Sequence, residues 1–126
     1  MLDSPIPIDV REFIVRNIDS IAEVEALLLL RGEPAVCWNV AAVAARLYIT
    51  ETVASNALEK LHALGVAARG DGGSRYQCAS VDLEASVDRL IDSYSRYLIP
   101  VTNLIHTKSA SRVREFADAF HFTKRR

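Results

Sequence analysis

The stretch Trp38-Asn39-Val40-Ala41-Ala42-Val43-Ala44-Ala45-Arg46-Leu47-Tyr48-Ile49-Thr50-Glu51-Thr52-Val53-Ala54-Ser55-Asn56-Ala57-Leu58-Glu59-Lys60-Leu61-His62-Ala63-Leu64-Gly65 decides the fold. Asn39 is a good N-cap, and Val40, Val43, Ala44 and Leu47 then share one helical face. Tyr48-Ile49 reads as a turn. Thr50 can cap a second helix over about Glu51 to Leu64, whose alanines permit close helix–helix approach. Gly65 stands where a left-handed residue is wanted after a helix. The period then changes. Val66-Ala67-Ala68-Arg69 and Arg75-Tyr76-Gln77-Cys78 read as short strands around Gly70-Asp71-Gly72-Gly73-Ser74, a hairpin tip. With the short extended piece Ala35 to Trp38 in front, the order is strand, helix, turn, helix, hairpin.

Upstream, Pro5 and Pro7 make residues 1–9 an extended arm. Val10, Phe13, Ile14 and Ile18 form one face of a short helix. Ser20 and Glu23 have the spacing of a capping box, in which each side chain satisfies a free backbone N–H of the other. A helix is expected from about Ser20 to Arg31. Ile21, Val24, Leu27, Leu28 and Leu30 make it largely buried, and Gly32 and Pro34 stop it.

Downstream, Val81 to about Thr107 carries the longest helical pattern. Leu83, Val87, Leu90 and Tyr94, continued by Tyr97, Val101 and Leu104, alternate steps of four and three, a heptad seam. Ile91, Leu98 and Ile105 widen it beyond what a lone surface helix needs. The pattern predicts a homodimer interface along this helix. Pro100 has no N–H for the Arg96 carbonyl, so a kink or break is expected there. Ser109 or Ser111 then caps a last helix with Val113, Phe116, Ala117 and Phe120 on its apolar face, before a basic end at Lys124-Arg125-Arg126. Three parts result. Residues 1–19 are an arm and short helix, 20–79 the central unit, and 80–126 the long helix and a short amphipathic one.

The chain has 126 residues, half of them hydrophobic, which suits one domain with an appended helix. Its net charge of −1 conceals an asymmetry. Residues 1–33 hold three Lys/Arg and seven Asp/Glu; residues 34–79 hold four and three. Residues 80–106 hold two and four, and residues 107–126 hold six and two. The acidic, proline-bearing start shows no signal peptide, and the longest aliphatic run, Ala26 to Leu30, is too short to span a bilayer. A cytoplasmic location without membrane contact is expected. Two cysteines are far short of a disulfide framework.

At Ala42-Val43-Ala44-Ala45-Arg46-Leu47, Ala54 to Leu61 and Gly65-Val66-Ala67-Ala68-Arg69 the chain resembles bacterial winged helix-turn-helix regulators, closest to the MarR-like and ArsR-like groups. The resemblance covers roughly residues 20–79. It implies a mainly α fold with a small β-wing and a long C-terminal dimerisation helix. It also implies transcription regulation by a homodimer on double-stranded DNA. In such regulators the second helix of the motif enters the major groove and the wing touches the flanking backbone. Carried over, Ala54, Leu58 and Leu61 are inward positions. Thr52, Ser55, Asn56 and Lys60 are outward DNA-contacting ones, with Thr50 at the helix start. Arg69 and Arg75 stand at the feet of the wing, and Arg46 closes the supporting helix. Asn can read adenine, and Ser and Thr can reach base or phosphate. The recognition helix carries no arginine, Glu51 and Glu59 would face phosphates, and the wing tip holds Asp71. An alternative is a winged-helix protein-interaction module without significant DNA binding.

Other constellations carry less. Cys37 and Cys78 sit where the strand before the motif and the second wing strand pair, a possible redox pair at the base of the wing. The bland reading is two small buried hydrophobes. His62, His106 and His121 lack ligand spacing, so no metal and no cofactor is expected. Asp88 and Asp92 read as a solvated face. No nucleophile–base pairing or phosphate loop appears, so no enzymatic activity is expected. Trp38, Tyr94 and Tyr97 read as packing rather than a ligand pocket. Phe116, Phe120 and Phe122 with the basic tail form either a partner-docking helix or a segment folded back on its own dimer.

Overall fold

A computed structural model describes residues 5–110. Helix α1 spans Ile8–Asn17, α2 Ile21–Gly32, α3 Val40–Leu47 and α4 Glu51–Leu64. Strands β1 (Ala67–Gly70) and β2 (Gly73–Tyr76) follow, then α5, Val81–Arg96. A last helix, α6, covers 98–110. The described chain is thus mainly helical with one small antiparallel sheet.

Local chemistry places most helix starts. The hydroxyl of Ser20 accepts from the Glu23 N–H at 3.3 Å, Asn39 Oδ1 from Ala42 at 2.8 Å, and Thr50 Oγ1 from Val53 at 3.1 Å. Ser80 does the same for Leu83 at 3.1 Å. Each satisfies one of the N–H groups that a helix start leaves unpaired. The capping box departs from the expected reciprocity in one respect. Glu23 Oε1 takes the N–H of Asp19, one residue before the cap, at 2.9 Å. Helix α1 starts two residues before Val10, because Pro7 supplies the first carbonyl, to Arg11 at 2.9 Å. The arm itself is anchored by Ile6, which is buried.

One apolar core runs from Ile6 to Ile105. Helix α4 is packed against both α2 and α3. It buries Ala54, Ala57, Leu58 and Leu61, and the two alanines keep the helix axes close. Leu61 and Leu27 are essentially inaccessible; full burial of such a side chain contributes about 1.5–3 kcal/mol each. Helix α1 packs on α5. Ion pairs Arg89–Asp9 and Arg31–Asp88 (2.8 Å) tie α5 to α1 and α2, so Asp88 is not simply solvated.

The long C-terminal helix is a correction. The chain leaves helical geometry at Tyr97 (φ −128°, ψ 53°), three residues before Pro100. Pro100 thereby falls in the first turn of α6, where a missing N–H costs nothing, and its ring avoids the Arg96 carbonyl. The positions of the seam divide by burial. Val87, Leu90, Tyr94 and Val101 are buried within this same chain, while Leu83, Tyr97 and Leu104 are half-buried against the same core. Part of what reads as a dimer stripe therefore joins the chain's own core, with α1 packed on α5 and Tyr94 bonded to Glu25 of α2. The expected last helix and basic end, from Ser111 onward, lie outside the described residues, and Ser109 sits within α6 rather than capping a new helix.

The hairpin is tighter than the sequence suggests. Gly70 pairs with Gly73, so Asp71 and Gly72 alone make the turn, with Gly72 at φ +77°. The residue pair Trp38 and Ser74 exchange both backbone hydrogen bonds, at 2.8 and 2.9 Å, adding a short third strand segment to β2. Gly73 permits this approach: a Cβ there would lie 2.3 Å from the Trp38 carbonyl oxygen. Gly73→Ala is therefore expected to lower stability by about 2–3 kcal/mol, read from the urea midpoint. Gly32→Ala, with open space around it, is expected to be near neutral.

Candidate nucleic-acid interface

The unit α3–turn–α4 is held by its two caps and an unusual corner. Tyr48 closes α3 in the left-handed region (φ 58°, ψ 45°), and the Ile49 N–H returns to the Ala44 carbonyl at 3.1 Å. Such a conformation costs a non-glycine residue about 1–2 kcal/mol. Thr50 then opens α4. Gly65 ends it at φ +94°, accepting the chain's reversal into the hairpin.

Helix α4 turns Thr52, Asn56 and Glu59 outward, with Ser55 half-buried beside them. Glu51, Thr52, Ser55 and Asn56 line a shallow depression of ≈ 440 Å³ with Val40. The hairpin borders the same helix. A second cleft of ≈ 310 Å³ lies between Trp38, Leu58 and the hairpin, with Arg69 on its rim. His62 Nε2 and Ser74 Oγ, 2.7 Å apart, fasten α4 to β2. This tie was not legible in the sequence, where His62 shows only a lack of ligand spacing.

The cations divide. Arg75 is exposed on β2 opposite Ala68. Arg69 lies 3.5 Å from Glu59, both well exposed, a pair of small energetic weight. Arg46 stacks over the Trp38 ring, 5.4 Å from its centroid, and Trp38 Nε1 is buried with no hydrogen-bond partner among the described residues. Lys60 lies one turn beyond Asn56 on α4 and pairs with Asp19. Thr50 Oγ1 is engaged as a cap. The structure therefore brings Thr52, Ser55 and Asn56 together in one depression, sets Arg69 in a second cleft that shares Val40 with it, and engages the charge of Lys60 with Asp19.

Asp19 is a hub that the sequence does not disclose. It pairs with Lys60 and, at 3.1 Å, with Lys108, whose ammonium also donates to the Ile14 and Ile18 carbonyls at 3.0 and 2.5 Å. Burial alone would raise the Asp19 carboxyl, but the two ammonium groups outweigh it and hold it at about 2, below the ordinary 3.8. Tyr94 is pushed upward, first by burial and then by its hydrogen bond to Glu25, so its phenol stays a donor.

The two cysteines are free and half-buried, with different neighbours. Cys37 Sγ lies against Gly70, whereas Cys78 Sγ donates to the Tyr76 hydroxyl at 3.2 Å. Among the described residues no helix is long and apolar enough to cross a membrane, and no group of three or more His, Cys, Asp and Glu has the arrangement of a metal site. Comparisons with known protein families, with curated proteins and with solved structures found no match to this chain.

Because the Asp19 carboxyl is depressed, its stabilising charge is complete above about pH 4 and is lost as the pH falls towards 2. With Lys60 nearly half exposed, screening reduces the contribution to on the order of 1 kcal/mol. Asp19→Asn is expected to lower stability by that amount at neutral pH and to flatten the acid limb, as measured by chemical unfolding between pH 2 and 7.

Proposed function

We propose that this chain is a winged-helix DNA-binding protein that regulates transcription as a dimer. The observation that carries this reading is the Trp38–Ser74 exchange. It adds the strand before α3 to the hairpin after α4, which lays the hairpin beside an outward polar helix face. Thr52, Ser55 and Asn56 suit base edges in a major groove, and Arg69 and Arg75 suit the flanking phosphates. Glu51 and Glu59 oppose phosphate approach, so the affinity per subunit is modest and strongly salt-dependent.

Binding to mixed duplex DNA at low salt tests this. Arg75→Ala should reduce the slope of log K against log salt by about 1. Glu59→Gln should tighten binding about two- to fivefold, by removing a carboxylate from the face and releasing Arg69. Absence of binding at low salt, or variants without effect, would refute the assignment.

For the dimer, the apolar side chains left outside the core at the α5–α6 joint are Leu98 (49 % exposed) and Ile99 (66 %). They form the proposed self-contact, in place of the buried part of the seam. Leu98→Asp with Ile99→Asp should give a folded monomer by sedimentation velocity. Leu90→Asp should instead unfold the chain, because it buries a charge in the core. A wild-type monomer at all accessible concentrations would exclude the dimer.

A further inference from the structure

A second apolar feature lies behind the α3–α4 corner. Ile21, Ala22, Leu47, Tyr48 and Ile49, with the charged residues Glu25 and Arg46 on its walls, line a groove of ≈ 420 Å³. That is within the range of about 300–1,000 Å³ found for clefts that hold large ligands. Tyr48 stands at its mouth, 95 % exposed and in a left-handed backbone conformation. A strained residue that holds a large aromatic ring open to solvent marks a surface with a use.

The chain itself arrives at this groove. Ser109 Oγ donates to the Asp19 carbonyl at 2.8 Å, and Lys108 is fixed to the same corner. Ile21, two residues further along, already lines the groove. Sixteen residues follow Ala110. Their apolar members Val113, Phe116, Ala117 and Phe120 recur at i, i+3, i+4 and i+7, the pattern of a segment that lays one face into an apolar groove.

We propose that residues 111–126 dock by their Val113–Phe120 stripe into the Ile21–Tyr48–Ile49 groove of the same chain. The docking is independent of the DNA reading.

The test uses the full-length chain with a benzoylphenylalanine photo-crosslinker in place of Tyr48, without DNA and at low protein concentration. After irradiation and digestion, mass spectrometry should find most crosslinks within one chain, between position 48 and residues 112–122. Crosslinks between two chains, crosslinks chiefly to other segments, or a consumed probe without any crosslink would each overturn the proposal. Phe116→Asp with Phe120→Asp should cut the yield by at least about tenfold; an unchanged yield would overturn the stripe's role. The same probe at Val81 is 81 % exposed, beside the far end of α4, where Ala79 bonds to Gly65 at 2.8 Å. It should give no such product; an equal yield there would overturn the docking as non-specific.

Discussion

The paired hydrogen bonds between Trp38 and Ser74 are the constraint on which the candidate site depends. A two-residue turn with four-residue strands is marginal as a free hairpin in water. Here it gains a third strand segment on one side and α4 on the other. The Trp38 ring is buried in the core and carries the Arg46 guanidinium on its face, so the bridge is anchored from both backbone and side chain. His62 and Ser74 then fix the azimuth of α4 relative to β2. The glycines serve the same contact: Gly73 admits the Trp38 carbonyl, and Gly70 admits the Cys37 thiol.

Most of the fold was legible because most of it is decided locally. Asn39 and Thr50 cap the helices that they appear to cap, and Gly65 takes the left-handed geometry expected after α4. The hairpin lies where the period changes. Sequence and structure part where a local pattern has two physical realisations. A stripe at heptad spacing records that something covers it, and the covering surface here includes the chain's own α1 and α2. Pro100 marks a helix boundary, but its place in a first turn puts the break at Tyr97. Partners far apart in sequence carry no local signature at all. Asp19 meets Lys60 and Lys108 from 41 and 89 residues away, and Arg31 meets Asp88 from 57.

The site itself was legible in part. The polar row Thr52, Ser55 and Asn56 lines one depression, and Arg69 lines a second cleft that shares Val40 with it. Lys60 continues that row one turn further on, but Asp19 engages its charge. The positive charge near α4 is therefore smaller than a count of residues suggests, and what remains stands mainly on the hairpin. The proposed phosphate contacts therefore rest on Arg69 and Arg75, and the hairpin's attachment through Trp38 becomes the element that decides whether the face works.

A footprint of the amide resonances tests that account directly. Nitrogen–proton spectra of the full chain, titrated with mixed duplex DNA at low salt, should show changes concentrated at residues 50–56 and 69–75, fading as salt is raised. Unperturbed spectra, or changes confined to surfaces away from α4 and the hairpin, would contradict it.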